Sequence, residues 1–456
     1  MSDLTILPVD TKSLGDRSYL VHDGEVAFVV DPQRDIDRVQ HLLEQEGVRL
    51  THVLETHIHN DYVTGGYALA RETGAAYLVN AADPVSFDRV PVEDRQVVAV
   101  GDRMRLTAVA TPGHTWTHLS YLLADDTAGR TLAVLSGGSL LHGSTGRPDL
   151  LGPDHTDALV RRQHASAHLL ADLAPGSARL LPTHGFGSFC SATQSDVTAS
   201  TIGDERLANP VLREDVETWV AGLLAGLDAW PAYYARMAPA NLAGPDAPDL
   251  TPPRHADADQ IRRALHAGEW VVDLRHRTAF AAGHVPGSLS FGLEDSFATY
   301  LGWLIPAGTP LTLLGETPEQ VALAQRELSR IGLDRPAAQA TGGPQDWTTE
   351  PSSFPVARFA DLESVRRHRD VVVLDVRLAG EHAERRLDGA LGIPLHELPG
   401  RLDEVPDGEV WVHCGAGYRA ATAGSLLAAR GRSVVVVDDE FDRAADAGLP
   451  LVEASA

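Results

Sequence analysis

The sequence predicts an α/β protein built as three domains, and three observations carry that reading. Over residues 1 to about 200, short apolar runs alternate with glycine-rich loops and helical patterns, the grammar of a layered domain. A Pro- and Ala-rich stretch without periodicity, 238–254, then interrupts the pattern and reads as a linker. Beyond it, Val271-Val-Asp273-Leu-Arg275 recurs as Val373-Leu-Asp375-Val-Arg377. A repeat of about 100 residues means duplicated domains, because solenoid units are shorter.

Composition bounds the rest. The chain of 456 residues suits two to four domains at roughly 100–200 residues each. Lys+Arg totals 38 and Asp+Glu 63, a net charge of −25. A field of that sign repels phosphate backbones and anionic lipid, so neither nucleic acid nor membrane is expected as a partner. The opening Met1-Ser-Asp-Leu-Thr-Ile-Leu-Pro lacks the basic region of a secretory signal. No apolar run approaches the roughly 18 residues of a membrane helix. Only two cysteines occur, Cys190 and Cys414, which excludes a disulfide framework and places the expectation in a reducing cytoplasm. A homo-oligomer stays open.

In chain order, Val26–Val30, Thr51–Glu55, Leu106–Ala110, Thr131–Leu135 and Arg179–Leu181 read as strands. Each of the last four runs into a loop rich in His, Gly, Thr or Ser. From Gly203 to Met237 the period turns helical, with Val216, Trp219, Val220, Leu223 and Leu224 spaced for one buried face. Residues 1–245 therefore form the first domain and its helical extension. The repeats occupy 255–340 and 356–456, separated by a second Gly-, Pro- and Ser-rich linker, 341–355. In both repeats a glycine, Gly287 or Gly389, follows the aspartate at the same offset. A strand (Leu311–Leu314; Glu409–His413), a tight loop, a helix and a further glycine (Gly332; Gly431) complete each unit.

Chemistry concentrates in the strand-end loops of the first domain. Thr56-His57-Ile58-His59-Asn60-Asp61-Tyr62 leaves one strand, Thr111-Pro-Gly-His114-Thr a second, and Leu181-Pro-Thr-His184-Gly a third. Imidazoles in loops at one end of a sheet can turn toward one ion. The ordered set H-x-H-x-D, then G-H-T, then a turn and a late histidine resembles the metallo-β-lactamase superfamily. With two trailing repeats, the layout further resembles the persulfide dioxygenase branch and its rhodanese fusions. The resemblance implies an αββα sandwich over residues 1 to about 245, followed by two α/β rhodanese-like domains.

The same resemblance assigns ligands and exposes departures. The two-metal form of that superfamily would show a histidine at Tyr62 and a bridging aspartate at Gly138. Its first site keeps His57, His59 and His114; its second keeps only Asp61 and His184. The expectation is one metal per chain. Iron comes ahead of zinc, because the resembling dioxygenases hold iron through two histidines and a carboxylate, a face that leaves open positions. Three imidazoles suit zinc as well. His142, four residues after Gly138, could stand in for the missing carboxylate or be a plain loop residue. Arg147, in Gly-Arg147-Pro-Asp149, could clamp a substrate carboxylate or pair with Asp149 for structure.

The second chemical signal is Trp411-Val-His-Cys414-Gly-Ala-Gly-Tyr-Arg419, ahead of a helical pattern over 420–430. Backbone N–H groups and a helix N-terminus favour a thiolate there. Gly415, Ala416 and Gly417 curl around the sulfur, and Arg419 adds positive charge at the rim. This loop resembles the rhodanese active-site loop. One departure is Arg385-Arg386-Leu387, where rhodanese domains usually show Gly-His-Ile. In the first repeat, Gly283-His-Val-Pro-Gly287 is intact, but the cysteine position holds Gly315 beside Glu316. That copy reads as a structural or docking lobe. Cys190, close after His184, either lines the metal pocket or is simply buried.

These features predict a sulfur-metabolism enzyme: a persulfide dioxygenase-like metal domain coupled to a rhodanese-type sulfurtransferase. Its partners are low-molecular-weight thiols and persulfides such as glutathione persulfide. One rival is a metal-dependent thioester hydrolase of the glyoxalase II type. Another is a degenerate metal domain serving as a scaffold for one working rhodanese lobe.

Overall fold

In a computed structural model, residues 4–127, 129–195, 197–294 and 296–453 are described. The chain divides into two units, Met1–Pro248 with Ser329–Gly332, and Asp249–Leu328 with Leu333–Ala456.

Strand alternation explains the layering of the first unit. Along Asp16–His22 and Val26–Val30, Tyr19, Val21, Phe28 and Val30 point to one side, and Leu20, Ala27 and Val29 to the other. The first set joins Leu106, Leu119, Tyr121 and Leu135 of a second sheet in a core sandwiched between the two. The other set packs under Val39 and Leu43 of the helix Asp37–Glu46 and Leu69 of the helix Gly66–Thr73. On the far side, Val109, Val134 and Leu180 pack against Val160 and Leu170 of the helix Pro153–Leu173, with Trp219 and Leu223 alongside. The result is helix, six-stranded sheet, six-stranded sheet, helix, the αββα sandwich.

Each histidine loop follows a strand of this sandwich: Arg49–Leu54, Met104–Ala110 and Arg179–Pro182. The helical extension runs further than composition suggests. The helix Tyr234–Ala243 carries Pro239 within it and ends at left-handed Gly244, so the Pro-rich stretch is irregular only after that glycine.

The second unit holds two all-parallel sheets, whose central strands are buried on both faces and read as continuous apolar runs. Trp270–Asp273 and Leu311–Gly315 form the centre of one; Val372–Asp375 and Glu409–His413 form the centre of the other. The Asp-x-Arg repeat has the same job in both. Arg275 grips Asp273 through two nitrogens and donates to the Gly283 carbonyl at 2.7 Å. Arg377 grips Asp375 and donates to the Arg385 carbonyl at 2.6 Å. The unusual Arg385–Leu387 segment forms a short antiparallel ribbon with Leu451–Glu453. Residues 341–355 belong to the first repeat's architecture. Trp347 is 1% exposed within its core, and Ser352 exchanges backbone hydrogen bonds with His284. Among the described residues, no helix is long and apolar enough to cross a membrane.

Candidate functional site

Three imidazoles meet in the first unit, and each is held by its outer nitrogen. The Thr56 hydroxyl donates to Asp31 Oδ2 at 2.7 Å, so its oxygen is left to accept from His57 Nδ1 at 2.9 Å. His114 Nδ1 donates to the Arg147 carbonyl at 2.8 Å. His184 Nδ1 donates to Asp16 Oδ1 at 2.9 Å. All three rings therefore turn Nε2 inward, where the ligand atoms of His57, His114 and His184 lie within 4.8 Å of one another. His57 Nε2 and His184 Nε2 are 3.3 Å apart, and His114 Nε2 is buried with no partner. Two nitrogens bound at about 2.0–2.1 Å to one tetrahedral ion sit about that far apart. Outer hydrogen bonds that fix tautomer and ring orientation are the hallmark of metal-ligating histidines. The residues present fit a metal ion.

This trio brings His184 to His57 and His114, and His59 forms a second possible ligand group with Asp61 and His184. The His59 Nε2 faces Asp31 at 3.3 Å, Glu55 at 3.4 Å and the Tyr62 hydroxyl at 3.0 Å, while its Nδ1 is buried with no hydrogen-bond partner. Burial lowers its affinity for a proton, but Asp31 and then Glu55 outweigh that and push it up to about 9. The His59 ring stacks on Tyr62, whose ring centroid is 4.3 Å away. The Tyr62 hydroxyl also lies 3.3 Å from the Asp31 carbonyl.

Charge in the pocket is arranged for a cation. Burial, then His59 and His114, hold His57 well below its usual value, and burial with His184 lowers His114 to about 3. His184 is pushed up to about 10 by Asp61 and Asp16 against the cost of burial. Asp61 lies 3.2 Å from His184 Nδ1, yet neither of its buried oxygens has a hydrogen-bond partner. A metal ion binds neutral imidazole, so it would supplant the His184 proton and leave both carboxylates as balancing charge.

Gly138 shapes the back of the pocket. Its N–H donates to His118 Nε2 at 3.0 Å, and its carbonyl accepts from Gly146 N–H and the Gln163 amide at 3.0 and 3.1 Å. A Cβ at this position would lie 2.7 Å from His114 Cγ. The chain here packs directly on the ligand ring. His118 donates from Nδ1 to Thr111 at 2.8 Å and stacks on His57 at 4.9 Å. Neither His118, Asp16 nor Asp31 stood out in the sequence. The one signal for them was Thr111 and His118 flanking a G-H loop.

The remaining candidates in this unit are braces. His142 lies between the carbonyls of Leu180 and Val197, 3.1 and 3.2 Å away, not at the trio. Arg147 forms a two-pronged pair with Asp149 at 2.7 and 2.8 Å and also donates to the carbonyls of Phe189 and Asp228. Its side chain is 4% exposed. Cys190 is fully buried, and burial followed by Asp61 pushes its thiol well above the usual range.

In the second unit, Cys414 links the strand Glu409–His413 to the helix Tyr418–Ala428. The Gly417 N–H donates to its Sγ at 3.1 Å. Gly417 has φ +96°, and a Cβ on it would strike Asp438 and come 3.0 Å from Arg277 Nε. The Gly415 carbonyl accepts from Phe441 N–H at 2.8 Å. Arg419 is paired with Glu381 at 2.5 and 2.9 Å, and that pair holds the Glu381 carboxyl low although burial pushes it up. Beside the loop opens a cleft of about 670 Å³ lined by Arg377, Glu381, Arg385, Gly415, Phe441 and Asp442.

The matching loop of the first repeat is filled. Its helix Pro318–Arg330 begins three residues after Gly315, whereas Tyr418 lies four after Cys414. The Gln320 amide accepts from Glu316 N–H at 2.8 Å and donates back to the Glu316 carboxylate at 3.1 Å. A Cβ on Gly315 would lie 3.1 Å from Val321.

Comparison with known proteins agrees with this division. Residues 16–161 match the metallo-beta-lactamase superfamily, and residues 257–350 and 360–445 match the rhodanese-like domain. The chain is 31% identical over 210 residues to a hydroxyacylglutathione hydrolase of Albidiferax ferrireducens, covering 43% of this chain and 81% of that protein. It is 27% identical over 207 residues to the mitochondrial persulfide dioxygenase ETHE1 of Homo sapiens, covering 44% and 74%. A crystal structure of a metallo-beta-lactamase from Staphylococcus aureus aligns over 75% of this chain and 100% of that one, with 26% identity and a TM-score of 0.67. Both domain types are enzyme families.

Proposed function

Because the chain belongs to the metallo-beta-lactamase superfamily and carries two rhodanese-like domains behind that fold, we propose that it is a cytoplasmic enzyme of sulfur metabolism with two chemistries. The first unit acts on a low-molecular-weight persulfide such as glutathione persulfide, and Cys414 moves sulfane sulfur. The observation that carries this reading is the donor set around two different centres: three inward Nε2 atoms in one unit, and a backbone N–H on a loop thiol in the other.

In the first unit, His57, His114 and His184 would hold one metal, iron ahead of zinc. Such an ion supplies open positions for a substrate sulfur and for O₂ or water. Thr56, the Arg147 carbonyl and Asp16 hold the three rings; Asp16 and Asp61 balance the charge. Tyr62 and Gly138 limit the pocket to one metal. Arg147 braces the pocket through Asp149 and the Asp228 carbonyl.

At the second centre, the Cys414 thiolate attacks the outer sulfur of R–S–SH. A new S–S bond forms as the old one breaks, leaving Cys414 as the persulfide, and R–S⁻ departs to take up a proton. The Gly417 N–H stabilises the sulfur anion before and after transfer. The cleft beside Gly415 receives the carrier.

The test is the full chain with glutathione persulfide and thiosulfate. Oxygen uptake should depend on iron and His57 but not on Cys414. Cys414→Ser should abolish transfer to an acceptor thiol and remove the persulfide adduct from the intact-protein mass. Transfer at the parental rate by that variant would overturn the assignment. A second reading, thioester hydrolysis, is favoured by the three-imidazole set, which suits zinc, and by the hydroxyacylglutathione hydrolase relatives. Zinc in the purified protein, with hydrolysis of a glutathione thioester and no oxygen uptake, would select it.

A further inference from the structure

The cysteine-less repeat lies against the Cys414 loop within the second unit, and its contacts there are specific. Its segment around Leu289–Gly292 runs beside the helix that follows Cys414. Ser290 N–H donates to Ser425 Oγ at 3.0 Å, Thr422 Oγ1 donates to the Ser290 carbonyl at 2.9 Å, and the Tyr418 hydroxyl donates to the Gly292 carbonyl at 3.4 Å. Arg277 reaches the peptide backbone of the loop itself. Arg277, at the start of the short helix Arg277–Ala282, donates from Nε to Asp438 at 2.8 Å and from Nη1 to Glu294 at 2.8 Å. Its third nitrogen, Nη2, donates to the Ala416 carbonyl at 3.4 Å.

That carbonyl belongs to the same peptide group as the Gly417 N–H, and the Gly417 N–H is the group that donates to Cys414 Sγ at 3.1 Å. A planar peptide points its C=O and N–H in opposite directions. A cation on one end therefore fixes where the other end points, and it polarises the group so that the N–H becomes a better donor. Gly417 adds to the constraint, because its left-handed conformation leaves no room for a Cβ between Asp438 and Arg277.

We propose that Arg277 is a positioning residue for Cys414, and that the repeat without a cysteine persists in this chain as the lobe that orients its neighbour's thiolate donor. The inference rests on the reading of Cys414 as the sulfur-carrying nucleophile. It assigns to the silent lobe a role in transfer without any substrate contact of its own. Asp438 and Glu294 hold the guanidinium in place from both lobes, so the peptide is clamped across the boundary between the repeats.

Two variants of the full chain test this. Arg277→Ala removes every contact. Arg277→Lys keeps a charge for Asp438 and Glu294 but lacks the planar fork that also reaches Ala416. The readout is the pH profile of iodoacetamide alkylation at Cys414, followed on its own peptide by mass spectrometry, together with kcat and KM for sulfur transfer. Expected is a profile displaced to higher pH in both variants, with alkylation near neutrality about tenfold slower, the equivalent of one pH unit. kcat should fall with KM nearly unchanged, and Arg277→Lys should keep the parental Tm. Should Arg277→Ala fail to fold, Arg277→Lys still decides. A parental pH profile and kcat in a folded Arg277→Lys protein would overturn the proposal. If the parent shows no Cys414-dependent transfer, the nucleophile reading fails instead, and the alkylation profile still reports whether Arg277 orients the donor.

Discussion

Two glycines stand where chemistry would look for a side chain, and their surroundings are opposites. Gly138 holds the place of a metal-bridging aspartate, Gly315 the place of a nucleophilic cysteine. Around Gly138 the supporting cast is intact: three rings keep their outer hydrogen bonds, and the vacant ligand's space is taken by backbone packed on His114. Around Gly315 the cast has gone too, since the loop is one residue shorter and Gln320 closes on the Glu316 N–H. Losing one ligand changes which metal chemistry a pocket runs. Losing the cradle ends the site.

The comparison breaks most readily at the ligands. His57→Ala, His114→Ala and His184→Ala should each cost more metal affinity than the roughly 10–100-fold that loss of an outer partner costs, read by metal content after dialysis. Asp16→Asn should fall inside that range. Two metals at full occupancy in the parent would contradict the role given to Tyr62 and Gly138.

Next in size is a difference written into the two cysteine-position strands. His413, just before Cys414, corresponds to Leu314 in the silent repeat by strand register with Asp375 and Asp273. Burial lowers His413 to about 4, with Asp375 opposing. An unfolded histidine takes up its proton near pH 6.5 and the folded one only near 4, so the folded state loses stability as pH falls between those values and levels off below. The loss is on the order of 3 kcal/mol at the bottom of that window. His413→Leu should flatten that limb of a denaturation series; an unchanged limb would mean another group sets it.

Repairing Gly138 should do harm. Gly138→Asp drives a side chain into the His114 ring, and overpacking of this kind costs about 1–3 kcal/mol, visible as a lower Tm and less bound metal. A gain in metal affinity would show that the loop yields. Smallest of all is the effect of Gly315→Cys with Glu316→Gly on transfer in a Cys414→Ser background. It should be nil, because Gln320 and the short loop remain; any recovered transfer would mean that the thiol alone suffices.

Much of this was legible before the fold. The strand positions, the helical extension and the duplicated Asp-x-Arg units follow from periodicity and repetition, which are local signals. Cys414 announced itself because glycines and a helix pattern surround it in the chain. The makeup of the histidine trio was less legible. That His184 turns toward His57 and His114 depends on Asp16, which lies far away in sequence and meets His184 through the sheet. His118 and Asp31 were silent for the same reason: one histidine or aspartate has no pattern. Trp347 lay in a Gly- and Pro-rich stretch that composition marks as a linker, and only packing reveals it as core.

Arg147 joins these levels in one residue. Its carbonyl sets the His114 ring, and its guanidinium ties together Asp149 and the carbonyls of Phe189 and Asp228. The segment around Asp228 therefore shares a fulcrum with the metal pocket. Insertions or deletions near Asp228, on a stretch that touches no ligand, should surface as altered metal retention, which makes that connection the part of the first unit least free to change length.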